Sequence, residues 1–498
     1  MIPLFKVFMS EDVNTPLLET LHSGYITQGK KVEEYETKLK EYLEYPYVLT
    51  VNSATSGLTL AMRMLNLPSG SEVLTCPLTC LATNMAILAV GYKIKWVDVD
   101  KDTGNMDLND LAKKITSTTK AILVVHWGGT PIDLDKLKLI RLKAREQVGF
   151  DIPIVEDCAH AFGAVYKGRK IGSHRNYCVF STQAIKHLTT GDGGIITLPD
   201  EKSYHRAKLL RWFGIDRDKR SKSTDFRMEE DVKEWGYKFH MNDINAVIGL
   251  YNLPHMDKII RINRDNAALY NTHLDLPGIE LMKYDPFSSY WIYTLKVTDK
   301  KGFIDFMTSK GIMVSQVHNR NDIHSCLKEF KAYLPELDSL EKHIICIPVG
   351  WWVTYPLYIV NSIKEWSETN YSVRIMEDKD KNDYIRLINE FSKGKIGEDI
   401  KYNSDQLGDI YVIQRQNKVV GTGKIIIEPK LVNNLGHIED VVIDPEYRKM
   451  GYGQVLVRYL YNCAKKLNCY NVVLNCSESN RYFYEKCGFK KKGLQMCA

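Results

Sequence analysis

Glu72-Val-Leu-Thr75, Lys93-Ile-Lys-Trp-Val-Asp-Val99, Lys120-Ala-Ile-Leu-Val-Val-His126 and Ile152-Pro-Ile-Val-Glu156 are short runs rich in β-branched residues, each parted from the next by a stretch of helix length. Alternation of strand and helix is the pattern of a layered α/β domain, so residues from about Val48 to Leu198 are expected to build a mostly parallel sheet. Working outward, about Asp257 to Lys364 reads as a smaller α+β segment with strands near Tyr290–Val297 and Met313–Val317. A second start follows. Ser372-Val-Arg-Ile-Met376 begins a strand, Asp380–Phe391 has helical periodicity, and Asp409–Ile413 and Lys418–Ile427 alternate as strands. The polar stretch Lys364–Asn370 is expected to be a linker, which divides the chain into 1–256, 257–366 and 371–498.

A chain of 498 residues exceeds what one hydrophobic core serves, in keeping with several domains. Its 44% hydrophobic and 26% charged residues are those of a globular protein without low-complexity tracts. The net charge of +6 is small and its lysines are dispersed, which argues against nucleic acid as the partner. The 11 cysteines lack zinc-finger spacing, so free thiols are expected and no metal site. The opening Met-Ile-Pro-Leu-Phe-Lys has no signal-peptide core, and apolar stretches such as Ala86–Val90 are far shorter than a membrane span. A cytoplasmic protein with no membrane partner is the expectation.

Three features of the first domain suit pyridoxal-phosphate (PLP) chemistry, which needs a lysine, an acid beside the pyridine nitrogen and a cradle for phosphate. Ser53-Ala54-Thr55-Ser-Gly57 follows a strand-like run and opens an apolar helix, where hydroxyls and N–H groups face an anion. Asp157 closes the Ile-Val strand, at the strand end where α/β folds bind ligands. Ser181 precedes Lys186 by five residues, and a glycine-rich turn, Gly191-Asp-Gly-Gly194, follows. Taken singly each has a plain alternative: Ser53 an N-cap, Asp157 a strand-end cap, Lys186 a solvated surface residue.

In combination and order, these stretches resemble the DegT/StrS-type sugar aminotransferases from about Tyr25 to Lys364. The resemblance rests on Ile26-Thr-Gln-Gly29, Asn52-Ser-Ala-Thr-Ser-Gly-Leu58, Cys76-Pro-Leu-Thr-Cys80-Leu-Ala-Thr-Asn84, Val155-Glu-Asp-Cys-Ala-His-Ala161, Lys186-His-Leu-Thr-Thr-Gly-Asp-Gly-Gly194 and Gly236-Tyr-Lys-Phe-His-Met-Asn-Asp-Ile-Asn-Ala246. It implies fold type I, with a large mostly parallel-sheet domain and a small α+β domain. It gives Lys186 the Schiff base and the proton transfer, and Asp157 the pyridinium nitrogen. His160 would contact the ring or its hydroxyl, and Ser53, Ala54, Thr55 and Ser181 would hold the phosphate. The resemblance also implies a homodimer in which Lys238 of the partner subunit reaches the phosphate. Dehydratases of this fold carry histidine in place of the lysine, and Lys186 excludes them. The chain departs from the pattern in carrying Cys80 where an aromatic usually stacks on the cofactor, and Lys238 where asparagine is usual. It also departs after Val317, where His318, Arg320 and Asn321 are candidate substrate contacts with an equal claim to a structural role.

Near the C-terminus, Gly436-His-Ile-Glu439-Asp440-Val441-Val442-Ile-Asp-Pro-Glu-Tyr-Arg448-Lys-Met-Gly451-Tyr-Gly453 joins a strand to an amphipathic helix through a basic glycine turn suited to a diphosphate. Asn475-Cys-Ser-Glu-Ser-Asn480-Arg-Tyr-Phe483-Tyr484-Glu-Lys-Cys-Gly-Phe489 completes a pattern that resembles the GNAT acetyltransferases, among them the glucosamine-6-phosphate N-acetyltransferases, from about Tyr371 to Ala498. The resemblance implies acetyl-CoA held by Val441, Val442, Arg448, Gly451, Gly453 and Asn480. Tyr484 would serve the departing thiolate, and Glu439 and Asp440 would lie beside the acceptor amine. Asn475 replaces an aspartate of the glucosamine-phosphate enzymes, and the ending Gln495-Met-Cys-Ala498 lacks their basic phosphate contact, which argues against a 6-phosphosugar.

An amine-forming site and an amine-acetylating site on one chain imply consecutive steps. The expected reaction aminates an NDP-4-keto-6-deoxy sugar, with glutamate as donor, and acetylates the product for glycan biosynthesis. The alternatives are acetylation of an unrelated amine and a silent ligand-binding scaffold.

Overall fold

The computed structural model describes residues 1–220, 231–391, 409–415 and 418–492. By its internal contacts the chain forms two compact units. One comprises Met1–Asn271, Met282–Leu295 and Thr308–Pro356, and the other Thr272–Leu281, Lys296–Met307 and Leu357–Ala498.

The first unit is built on a seven-stranded sheet. Its members are β1 (Val48–Val51), β2 (Glu72–Thr75), β3 (Lys93–Trp96), β4 (Thr119–Val125), β5 (Ile154–Asp157), β8 (Tyr177–Ser181) and β9 (Gly194–Thr197), with a two-stranded hairpin of β6 (Val165–Tyr166) and β7 (Arg169–Lys170) alongside. The order is β1-β9-β8-β5-β4-β2-β3. Pairs among β2, β3, β4, β5 and β8 are parallel, whereas β9 runs antiparallel to both β8 and β1. The mostly parallel sheet expected from the strand runs is present. Helices shield it, which is why Ala121–Val124 and Ile154–Val155 are continuously buried rather than alternating.

Three further strands are β10 (Ile279–Leu281), β11 (Tyr293–Val297) and β12 (Ile344–Ile347). Met313–Val317 does not form the strand expected of it. Only Ser315 makes a bridge, to Cys346, and Val317 adopts φ 70°, a left-handed value that ends an extended run and is costly for a β-branched residue.

The second unit carries a five-stranded sheet of β13 (Ser372–Ile375), β14 (Asp409–Arg415), β15 (Lys418–Glu428), β16 (Asn434–Ile443) and β17 (Cys469–Leu474), in that order. The first four pair antiparallel and β17 pairs parallel to β16, so the sheet is mixed. Along β14 the side chains alternate between two cores. Tyr411 and Ile413 face the helix Tyr452–Lys466, while Ile410 and Val412 pack with Tyr384 and Leu387 of the helix Lys381–Phe391. Residues 364–369, expected as a linker, instead complete the helix Pro356–Thr369. Ile363, Trp366 and Ser367 are buried at helical spacing, leaving Glu365, Glu368 and Thr369 exposed on the other face. No described helix is long and apolar enough to cross a membrane.

Candidate active sites

Sheet register assembles the first site. Asp157 ends β5, and β8 runs beside it in parallel with Asp157 opposite Val179, so both strands end on the same edge. Ser181 closes β8 opposite Gly194, which lies opposite Val51 on the other side. This sets Ser181 one strand away from the chain entering the helix Ala54–Met64. A Cβ on Gly194 would lie 2.8 Å from the Ala54 nitrogen, so only glycine lets the strand come this close to the helix start. Ser53 caps that helix, its Oγ accepting from the Ser56 N–H at 3.1 Å. The Ala54 and Thr55 N–H groups are left as the first open donors, at the positive end of the helix dipole.

Lys186 stands on the irregular turn between β8 and β9, its backbone N–H bonded to the Gln183 carbonyl at 2.9 Å. Its ammonium lies 3.4 Å from the centroid of the Trp291 ring. Burial pulls its pKa down to about 7, against the charges of Asp157 and Cys80, which hold it up. The Asp157 carboxyl is pushed above the usual range by burial, although it accepts from the Thr83 hydroxyl at 2.6 Å and the Ala159 N–H at 3.0 Å. Thr83 is in turn 2.8 Å from the Thr79 hydroxyl.

Three histidines surround the lysine. His160 stacks on Trp291 at 4.0 Å between centroids and on His318 at 5.4 Å. Burial lowers all three, His160 well below the ordinary value and His187 and His318 to about 4. At neutral pH they are uncharged, so Lys186 is the group that titrates there. His160 Nδ1 is buried without a hydrogen-bond partner among the described residues. An orphaned ring nitrogen, a near-neutral lysine, a buried acid and an open helix start are together what PLP requires, and the residues fit it.

Of the candidate substrate contacts, His318 faces this cluster, its Nε2 3.4 Å from that of His160. The Arg320 guanidinium is engaged by Asp322, Asp338 and Glu341. Asn321 is buried and bonds the Thr79 carbonyl and the Asn84 side chain, each at 2.8 Å, bracing the loop that carries Cys80 and Thr83. Lys238 is exposed, and its carbonyl accepts from Asn52 at 3.2 Å. Thr83, His187, Trp291 and Phe5, which stacks on Trp291 at 4.6 Å, escape a sequence reading. The one signal for the tryptophan is its place in the aromatic run Tyr290-Trp-Ile-Tyr293. Among the described residues His126, Glu156 and Cys158 gather three ligating atoms, but both His126 nitrogens are taken, by Glu156 and by the Ile132 N–H.

The second site uses backbone. β16 and β17 pair only as far as Ile438 opposite Leu474, and a bulge follows that puts Asp440 at φ 49°. Glu439 and Asp440 are exposed there, Val441 is half-buried and Val442 buried. Beyond the turn, Arg448 is exposed with Nε on the Ile443 carbonyl at 3.0 Å, and Gly451, at φ 77°, caps the helix Tyr452–Lys466. Gly453 approaches the Phe483 ring so closely that a Cβ would lie 3.1 Å away, which ties this helix to the segment carrying Tyr484. Tyr484 lines a cleft of about 690 Å³ with Leu474, Asn475, Cys476, Arg481 and Phe489, and burial raises its pKa. The cleft does not reach Glu439, Asp440, Arg448, Gly451, Gly453 or the exposed Asn480. Gln495–Ala498 lie outside the described residues.

Comparison with known proteins gives a family for each part of the chain. Residues 8–354 match the DegT/DnrJ/EryC1/StrS aminotransferase family, and residues 362–489 the acetyltransferase (GNAT) family. AtS13 from Actinomadura melliaura is 47% identical with a TM-score of 0.71, covering 73% of this chain and 98% of its own. The sugar aminotransferase CalS13 from Micromonospora echinospora is 44% identical with a TM-score of 0.71, covering 73% and 100%. UDP-4-amino-4-deoxy-L-arabinose–oxoglutarate aminotransferase from Shewanella sediminis is 33% identical over 278 residues, 56% of this chain and 70% of that protein. Aminotransferases of the matched family use PLP and GNAT domains use acetyl-CoA. The chain belongs to the DegT/DnrJ/EryC1/StrS aminotransferase family and carries a GNAT acetyltransferase domain after it, so that it joins a sugar aminotransferase to an acetyltransferase.

Proposed function

We propose that the chain aminates an NDP-4-keto-6-deoxy sugar with glutamate as donor and then acetylates the new amine from acetyl-CoA, as consecutive steps of glycan biosynthesis in the cytoplasm. The observation that carries the reading is Lys186, held near neutrality beside buried Asp157, in a chain that also bears an acetyltransferase domain. The names of the similar sugar aminotransferase and of the oxoglutarate-dependent aminotransferase support the substrate class and the donor.

When bound, PLP supplies an aldehyde that condenses with amines and a ring that accepts electrons from the adjacent carbon. Ser53, Ala54, Thr55 and Ser181 would hold its phosphate, Asp157 would keep its ring nitrogen protonated, and His160 would meet its ring or hydroxyl. Thr83 orients the Asp157 carboxylate for that task. With a pKa of about 7, Lys186 is divided between base and acid at physiological pH, and so can both remove a proton from the substrate carbon and return one. His318 is the substrate contact best placed. Arg320 and Asn321 would shape the loop around it. Lys238 would act from the second subunit of a homodimer.

In the acetyltransferase, the N–H groups after Arg448, with Val441, Val442, Gly451, Gly453 and Asn480, would hold acetyl-CoA. Glu439 and Asp440 would lie beside the sugar amine. Burial keeps the Tyr484 phenol protonated at neutral pH, and a phenol has a proton to give a thiolate of pKa about 8.5. Tethering raises the concentration of the amine near the second site. Incubation with a keto-sugar nucleotide, glutamate and acetyl-CoA should yield an acetamido sugar nucleotide by mass spectrometry. An amino sugar that accumulates without acetylation would contradict the coupled reading and leave the first step standing.

A further inference from the structure

Cys80, exposed at the start of the helix Leu81–Ala89, brings no ring to the lysine. The ring beside the lysine comes from elsewhere in the chain. Trp291 is fixed by its Nε1–H to the Ile185 carbonyl at 2.9 Å, by its backbone N–H to the Gly128 carbonyl at 2.9 Å, and by stacking with Phe5 and His160. His187 makes a further tie, its Nε2 lying 3.0 Å from the Ser289 carbonyl. Both sequence neighbours of Lys186 therefore hold the segment that carries Trp291. Tyr290, immediately before it, sits at φ 46°, an uncommon conformation for a bulky residue that persists only where its surroundings enforce it.

We propose that Trp291 is the positioning residue for Lys186: its π face seats the ammonium group whenever that amine is not joined to cofactor or substrate. A buried ammonium has lost water, and the negative face of an indole is the strongest uncharged replacement an aromatic side chain offers. The groups that bear on Lys186 come from several elements. Asp157 at the end of β5 and Cys80 after β2 favour its charged form, while His160, His187 and His318 oppose it when protonated. Asp157 is buried and already accepts hydrogen bonds from Thr83 and Ala159, whereas the Trp291 ring, which also stacks on Phe5 and His160, lies 3.4 Å from the ammonium. Trp291 thereby keeps Lys186 cationic enough to return a proton and aimed along one line.

This inference rests on Lys186 being the cofactor lysine, and its test is independent of turnover. The full chain, stripped of cofactor, is labelled with trace acetic anhydride across pH, and the Lys186 peptide is quantified by mass spectrometry to give the titration midpoint of that amine. Trp291→Leu should move the midpoint to lower pH by about 0.5–1.5 units, because the ring stabilised the charged form. Trp291→Phe keeps a π face and loses the bond to Ile185, and should stay within about 0.3 units of the native protein. If Trp291→Leu fails to fold, Trp291→Met fills similar space without a ring and carries the same expectation. A ringless variant that titrates with the native protein overturns the proposal, and so does a Trp291→Phe shift as large as that of Trp291→Leu, which would assign the effect to the Ile185 bond. Borohydride trapping of PLP on another residue would instead overturn the role of Lys186 and leave the titration result intact.

Discussion

Lys186 is surrounded by side chains, a tryptophan, three neutral histidines and a buried aspartate, whereas the glycine turn before the helix Tyr452–Lys466 offers mostly backbone to exposed surroundings. The first site would work by withdrawing charges from water, which moves an amine toward the pH at which it can trade protons. The second would work by shape and N–H donors, and the raised titration of Tyr484 would keep a phenol protonated. The difference teaches that side-chain substitutions should be decisive in the first region and backbone substitutions in the second.

The comparison can be broken in graded ways. Lys186→Ala should lower transamination by about 10⁴-fold while leaving acetylation of a supplied amino sugar unchanged, measured as separate half-assays. Tyr484→Phe should do the reverse, lowering acetylation by about 10²-fold and sparing transamination, and loss of both activities would refute independent sites. Asp157→Asn should cost transamination about 10²-fold, since a neutral amide cannot hold a ring nitrogen protonated. Gly451→Ala places a Cβ at φ 77° and should weaken acetyl-CoA binding about tenfold by calorimetry, for a strain of about 1–2 kcal/mol. The smallest effect is on stability. His187 is lowered from 6.5 to about 4, so the folded state binds fewer protons than the unfolded state between those values. Its stabilising share is complete above pH 6.5 and is lost as pH falls toward 4. His187→Gln should therefore flatten the acid limb of denaturant stability by up to about 1.4 kcal/mol per pH unit in that window.

Much of this was legible in the sequence where cause and effect lie close along the chain. β2 spans Glu72–Thr75 as its β-branched run implied, because a strand covered on both faces needs nothing beyond local apolar residues. Asp157 and Ser181 lie at strand ends and Lys186 stands before a glycine turn, yet each taken singly has a plain alternative, and only the ordered resemblance to the sugar aminotransferases singles them out. Trp291 could not be placed, since it meets Lys186 only after more than a hundred residues of chain have folded, and no spacing encodes that. The same holds for Thr83 and Asp157, which are 74 residues apart. Two local readings failed for tertiary reasons. Residues 364–369 look polar but bury Trp366 and Ser367 on one helical face, and Met313–Val317 looks like a strand but turns at Val317 to present His318.

The most direct measurement of the central claim is borohydride reduction of the full chain with PLP bound, followed by peptide mass mapping. The account predicts a pyridoxyl group on the peptide containing Lys186 and its loss in Lys186→Ala. A pyridoxyl group on any other lysine, or none at all in a protein saturated with PLP, would contradict it.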